Sequence, residues 1–268
     1  GTGMTPHVLR MALQFGNGTR FGRSGIGRFG MGLPNASISQ ACRVDVWSWQ
    51  NGPDNAYHTY MDVKEIERGE MTFVPAPAHN AVPEQWRVMS DAIDKTGTLV
   101  VWSDLDIHRL TWKSAKSTLQ NTERLAGRVY RRFIMNGKIT IRLVAKEEGG
   151  ETVFEEQARF DDPLYLTASP LVPAPFNKTP MFEHVFDDAH EIEHDGKKHS
   201  VKIRYSVAKK DTVDAAGGQD RGRTPFGQHA ARNIGVSVIR ADRELMLDQG
   251  WCIGYDPRER WWGAEVDF

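Results

Sequence analysis

A chain of 268 residues with 40% apolar and 26% charged side chains can bury a core and is long enough for two domains, which excludes a disordered chain. A formal net charge of −1 excludes a strongly basic nucleic-acid binder and an acidic mimic, so any nucleic-acid contact would need a local patch. There is no run of about 18 apolar residues and no signal-peptide pattern, and the two cysteines, Cys42 and Cys252, stand in no ligand spacing. The expectation is a soluble cytoplasmic protein with no membrane contact, disulfide or zinc site.

In chain order, residues 6–15 fit a short helix with Thr5 as cap and Pro6 in its first turn. Residues 16–32 hold seven glycines mixed with Arg20, Arg23 and Arg28, a composition that predicts a mobile loop. Residues 31–41 return to helical spacing, 44–49 alternate as a strand, and 57–63 pair with them. Residues 75–94 predict an insert or long loop, and 99–105 a buried strand. Residues 111–134 read as one long basic helix, and 138–144 as a strand. The turn at 147–150 marks a boundary, giving domains 1–148 and 149–268. Beyond it, 152–160, 198–208 and 235–241 predict strands, 220–233 is partly helical, and the acidic stretch 187–195 reads as a solvated loop.

Gly25, Gly27, Gly30 and Gly32 open directly into a helix. Glycine lets backbone N–H groups approach an anion, and a helix N-terminus adds partial positive charge, so phosphate is the natural ligand, with a plain surface loop as the alternative. Taken as Gly-x-Gly-x-x-Gly, Gly25, Gly27 and Gly30 spell a dinucleotide fingerprint, but that motif needs a buried strand before it. A P-loop lacks its Gly-Lys-Ser/Thr, and a protein-kinase loop lacks its partner motifs. Gly27, Gly30 and Gly32 also read as Gly-x-x-Gly-x-Gly.

In that last reading the order of motifs resembles the GHKL, or Bergerat-fold, ATPases. Gly1-Thr2-Gly3-Met4 is similar to the tail of the family's Asp-x-Gly-x-Gly-Met motif. Ile26 to Gly32 resembles its second glycine motif, and Thr96-Gly97-Thr98-Leu99-Val100-Val101 its Gly-Thr strand. The likeness covers about residues 1–145. Residues 233–241 and 260–268 look more loosely like the second domain of bacterial MORC- and MutL-like ATPases, or like a buried strand and a Trp-rich core segment.

The resemblance implies an α+β fold: a Bergerat-type α/β sandwich, a mixed sheet covered by helices, followed by a smaller mixed β/α domain. It implies ATP and Mg as cofactors, ATP/ADP exchange, and a nucleotide-dependent homodimer acting as a clamp, in DNA repair or genome defence. A heat-shock-type chaperone and a Rossmann NAD-binding oxidoreductase are the alternatives. Gly1, Gly3, Met4 and Thr98 would line the adenine pocket, and Gly27, Phe29, Gly30, Met31 and Gly32 the phosphates. Arg20, Arg23 and Ser24 would lie in a closing lid. The family's catalytic glutamate, magnesium-binding asparagine and adenine-reading aspartate have no counterpart at matching positions, and are expected before Gly1 in a longer protein. Lys209 and Lys210 are poor candidates for the phosphate-sensing lysine. The histidines at 184, 190, 194 and 199 read as solvated, and the basic helix as one packed on a sheet or lying along nucleic acid.

Overall fold

A computed structural model describes residues 1–17, 29–108, 110–253 and 256–268. The chain is α+β and divides into two compact units, 1–115 with 146–153, and 116–145 with 154–268.

The first unit begins with helix α1 (Pro6–Ala12), whose Thr5 side chain accepts from the Val8 N–H and whose Pro6 sits where no intrahelical N–H is needed. Helix α2 (Gly32–Gln40) runs without a gap into strand β1 (Ala41–Trp49). There follow β2 (Tyr57–Asp62), α3 (Val63–Glu67), β3 (Ala78–His79), α4 (Glu84–Arg87) and β4 (Gly97–Leu105). The sheet order is β3-β2-β1-β4, with every pairing antiparallel.

Central strand β1 is covered on both faces, and its alternation divides the unit into two cores. Val44 and Val46 pack with Leu9, Leu13, Met61 and Met71, joined by Met4, Leu33 and Ile38. Trp47 and Trp49 pack oppositely with Ala56 and Val82, joined by Trp86, Leu99 and Val101. Hence the expected long loop at 75–94 carries β3 and α4: Val82 and Trp86 anchor it under the two tryptophans. On that same face Arg43 grips Asp45 through two N–H groups, at 2.8 and 3.0 Å, and His58 lies 2.8 Å from the same carboxylate. Burial alone would raise the Asp45 pKa, but the His58 and Arg43 hydrogen bonds hold it below the usual carboxylate range.

The second unit contains α5 (Ala115–Val129), α6 (Arg131–Met135), β5 (Arg142–Lys146), β6 (Thr152–Gln157), β7 (Phe182–His194), β8 (Lys197–Ala208), α7 (Asp211–Asp214), α8 (Pro225–Ala231), β9 (Val236–Arg240), β10 (Arg243–Asp248) and β11 (Trp262–Asp267). Strands β5 and β6 form a hairpin of their own, and the remaining five run β10-β9-β11-β8-β7, with β9–β11 parallel and the others antiparallel. Tyr165, Phe176, Met181, Phe182, Phe226 and Trp261 are central to its apolar core.

Three sequence expectations are corrected here. The acidic stretch 187–195 is mostly strand β7, because cross-strand pairing with β8 supplies its hydrogen bonds although nearly every side chain is exposed. The single helix at 111–134 is two, interrupted at Tyr130, which leaves helical geometry at φ −106, ψ 16. The strand expected at 138–144 runs from Arg142 to Lys146, after a turn at Gly137 with φ +63.

Arg131 shows why residues 116–145 group with 154–268, whereas the sequence reading joined them to the preceding domain. Its guanidinium is buried and donates to Glu244 at 2.7 Å, Glu265 at 2.5 Å and Ser237 at 2.7 Å. Arg128 also reaches Glu244, and Arg132 reaches Glu265 and Asp267. The basic residues are thus the means by which these helices hold the sheet. The boundary expected near 148 falls in the β5–β6 turn.

Candidate functional site

The first and third motifs meet at one hydroxyl group. Ser48, near the end of β1, accepts from the Met4 N–H at 2.7 Å, donates to the Gly97 carbonyl at 3.1 Å, and lies 2.8 Å from the Thr98 hydroxyl. A serine has one proton to give. If that proton goes to Gly97, the Thr98 hydroxyl must donate to Ser48, which leaves the Thr98 oxygen with lone pairs alone to offer. Such an oxygen suits a hydrogen-bond donor, such as the N–H of an exocyclic amino group or the O–H of a bridging water.

Two glycines allow this junction to close. Gly3 has φ +71, and a β-carbon there would fall 2.0 Å from the Trp49 carbonyl oxygen. At Gly97 it would fall 2.5 Å from the Trp49 ring. Only backbone without a side chain can therefore lie against the end of β1 at either position. The Thr96 hydroxyl donates to the Gly1 carbonyl at 2.6 Å, and the Trp49 indole N–H donates to the Asp94 carbonyl at 2.8 Å. The two motif segments are thereby tied at several points around one strand end.

The second motif is partly described. Gly30, Met31 and Gly32 lead into α2, whose Met31 cap makes no side-chain hydrogen bond and whose first turn carries no acidic residue. Gly30 has φ +61, and the Gly16 N–H donates to its carbonyl at 3.3 Å. Phe29 and Met31 are 69% and 38% exposed. Arg20, Arg23, Ser24 and Gly27, with most of the expected lid, lie outside the described residues. Among the described residues, the element before the glycine-rich segment is helix α1, not the buried strand that a dinucleotide fingerprint requires.

Helix α2 lies against β1 and β4, and its Ser37 hydroxyl accepts from the Trp102 indole N–H at 2.9 Å. Trp102 stands opposite Val44, and Thr98 opposite Ser48. Five residues of helix, about 7 Å, separate Ser37 from Gly32, so the N-terminal turn of α2 is directed toward the Ser48 end of the sheet. Thr98, Val100 and Trp102 share the face that the helices cover, yet Val100 and Trp102 are 38% and 41% exposed. The surface beside Thr98 is consequently open and apolar.

Ser48 had a readable signal: it is the small hydroxyl residue on the inward side of an alternating Val, Asp, Val, Trp, Ser, Trp strand. Its partner Thr98 could not be deduced, since pairing register is not written in either segment alone.

Residues 1–98 match the family described as histidine kinase-, DNA gyrase B-, and HSP90-like ATPase. Over those residues the chain is similar to the GHKL-type ATPases, a family whose members bind ATP. No curated protein matches the chain by sequence. Among the described residues no group of three or more His, Cys, Asp or Glu side chains could hold a metal ion, and no helix is long and apolar enough to cross a membrane.

Proposed function

We propose that this chain supplies the adenine- and phosphate-binding surfaces of an ATP-driven clamp of the MORC- and MutL-like kind, with hydrolysis completed by groups not assigned in this chain. One observation carries the reading: Ser48 joins Met4 and Thr98, from the two motifs expected to hold adenine. Met4 would lie against the base and Thr98 would accept from its amino group, with Gly1 and Gly3 supplying backbone surface that no side chain blocks. Phe29, Gly30, Met31 and Gly32 would present backbone N–H groups to the phosphates at the N-terminus of α2. Magnesium would arrive on the triphosphate, and no protein ligand for it is assigned among the described residues.

Calorimetric titration of the 268-residue chain with ATP, ADP and NAD tests the pocket. ATP and ADP should bind and NAD should not, and Thr98→Val should weaken ATP binding by about 1–2 kcal/mol. NAD binding, or an unchanged affinity in the variant, would overturn the assignment. The clamp itself predicts that the complete protein pairs with a non-hydrolysable ATP analogue and stays apart with ADP, as read by sedimentation velocity. Equal association in both states would exclude the MORC- and MutL-like mechanism while leaving the pocket standing.

A further inference from the structure

The second sheet ends in a strand whose outer side pairs with nothing among the described residues. Strand β7 is 13 residues long, which makes it about 40 Å from end to end, and every side chain from Glu183 to His194 is exposed. One side of its backbone pairs with β8 along the whole strand. The N–H and C=O groups of the other side are left to solvent, and such a row is a template for one more strand. We propose that this edge is a docking site for an extended segment of a partner protein in which lysine or arginine alternates with apolar residues.

The register selects that pattern. Directly opposed residues share a face, and on one face three strands carry charge in stripes of alternating sign: Glu265 and Asp267 on β11, Arg204 and Lys202 opposite them on β8, then Asp187, Glu191 and Glu193 on β7. Lys198, opposite Glu193, extends the basic stripe. Arg204 donates to Asp187 at 3.3 Å and Lys198 to Glu191 at 3.0 Å, whereas Glu193 has no partner among the described residues. An added strand would lie one strand spacing, about 5 Å, from the β7 carboxylates and two spacings, about 10 Å, from the β8 bases. The second distance exceeds the screening length of about 8 Å at physiological salt. The carboxylates therefore decide, and they favour a cation at alternate positions. On the opposite face β7 presents Phe186, Asp188, His190 and Ile192. Phe186 lies against Tyr205 with ring centroids 4.6 Å apart, yet Phe186 and Ile192 remain 50% and 52% exposed. Asp188 and His190 engage each other at 2.8 Å, which leaves the two apolar side chains to be covered by apolar residues of the incoming segment. An acidic segment would meet like charge along its length, and so would the phosphates of a nucleic acid.

The test is fluorescence anisotropy of the 268-residue chain with labelled, end-capped peptides of about twelve residues. One alternates lysine with valine, one alternates glutamate with valine, and one holds the same lysines and valines in two blocks. Amide hydrogen exchange across β7 is followed in parallel, with melting temperature as a folding control. The expected result is that the alternating lysine peptide binds and slows exchange in β7, while the other two bind about tenfold more weakly or worse. Glu191 and Glu193 are exposed, so Glu191→Lys with Glu193→Lys should leave the fold intact and invert the preference, weakening the lysine peptide about tenfold and admitting the glutamate peptide. Absence of binding, equal binding of the blocked peptide, exchange in β7 left unchanged, or the same preference in the charge-reversed variant would each overturn the proposal. So would self-association of the unaltered chain through β7 at neutral pH, because the edge would then hold a second copy.

Discussion

Gly3 and Ser48 show how few atoms fix the junction between the first and third motifs. Alanine at Gly3 needs both a positive φ and space already held by the Trp49 carbonyl, so Gly3→Ala should cost about 1–3 kcal/mol of stability, measured by urea unfolding. Ser48→Ala removes the acceptor for Met4 N–H and the donor to Gly97, and should cost about 1–3 kcal/mol while reducing ATP affinity. Ser48→Ala at full stability would mean that water replaces the hydroxyl and that the junction is wetter than its burial suggests. Asp161 is a residue of the opposite kind. It is buried, accepts from the Asn233 side chain at 3.0 Å, and leaves its second oxygen without a partner. Burial raises its pKa, so folding favours the protonated form. The penalty is absent below the unfolded pKa and grows as pH rises toward the folded one. Asp161→Asn, which keeps the acceptor for Asn233, should therefore raise the melting temperature at pH 7 and lose that advantage in acid. An unchanged difference across pH would show that Asp161 is not the group responsible.

Among the elements, α5 and α6 depend most on a single side chain. Arg131 reaches Glu244 and Glu265, both nearly inaccessible, and Arg131→Met would leave two buried carboxylates facing an apolar side chain. The expected loss is about 3–5 kcal/mol, recovered only in part when Glu244→Leu and Glu265→Leu are added, because the two buried carboxylates are removed while Arg128 and Arg132 each lose a partner. Arg131 and Arg132 outweigh burial at Glu265 and lower its pKa. That contribution is present above the unfolded glutamate pKa and is lost as pH falls through the lowered folded value, opposite in direction to Asp161. None of this was legible in the helix sequence. Periodicity places Leu119, Leu125 and Val129 on one side and assigns arginine to solvent, and only the distant Glu244 and Glu265 reverse that assignment for Arg131. By contrast, β1, β2 and β4 were legible almost to their ends, since alternating apolar residues carry the signal locally. Strand β7 was missed for the same reason: an edge strand with both faces exposed has no apolar alternation to read.

For the whole molecule, the parts of the site in described residues followed motif order, while their connection through Ser48 needed the folded register. The far edge of the second sheet has a separate consequence. Strand β7 is an unpaired edge of 13 residues, and its free backbone groups could accept another copy's strand. Glu183, Asp187, Asp188, Glu191 and Glu193 are exposed along it, and at neutral pH two such edges repel. Val185 and Ile192 are about half exposed on the same strand. Light scattering at neutral pH should therefore show no self-association, and a variant carrying Glu183→Gln, Asp188→Asn, Glu191→Gln and Glu193→Gln should associate, an effect that adding Ile192→Lys should suppress. Unchanged scattering from that variant would show that something other than charge blocks the edge; its expected association makes the acidic row of β7 a guard against fibrous stacking.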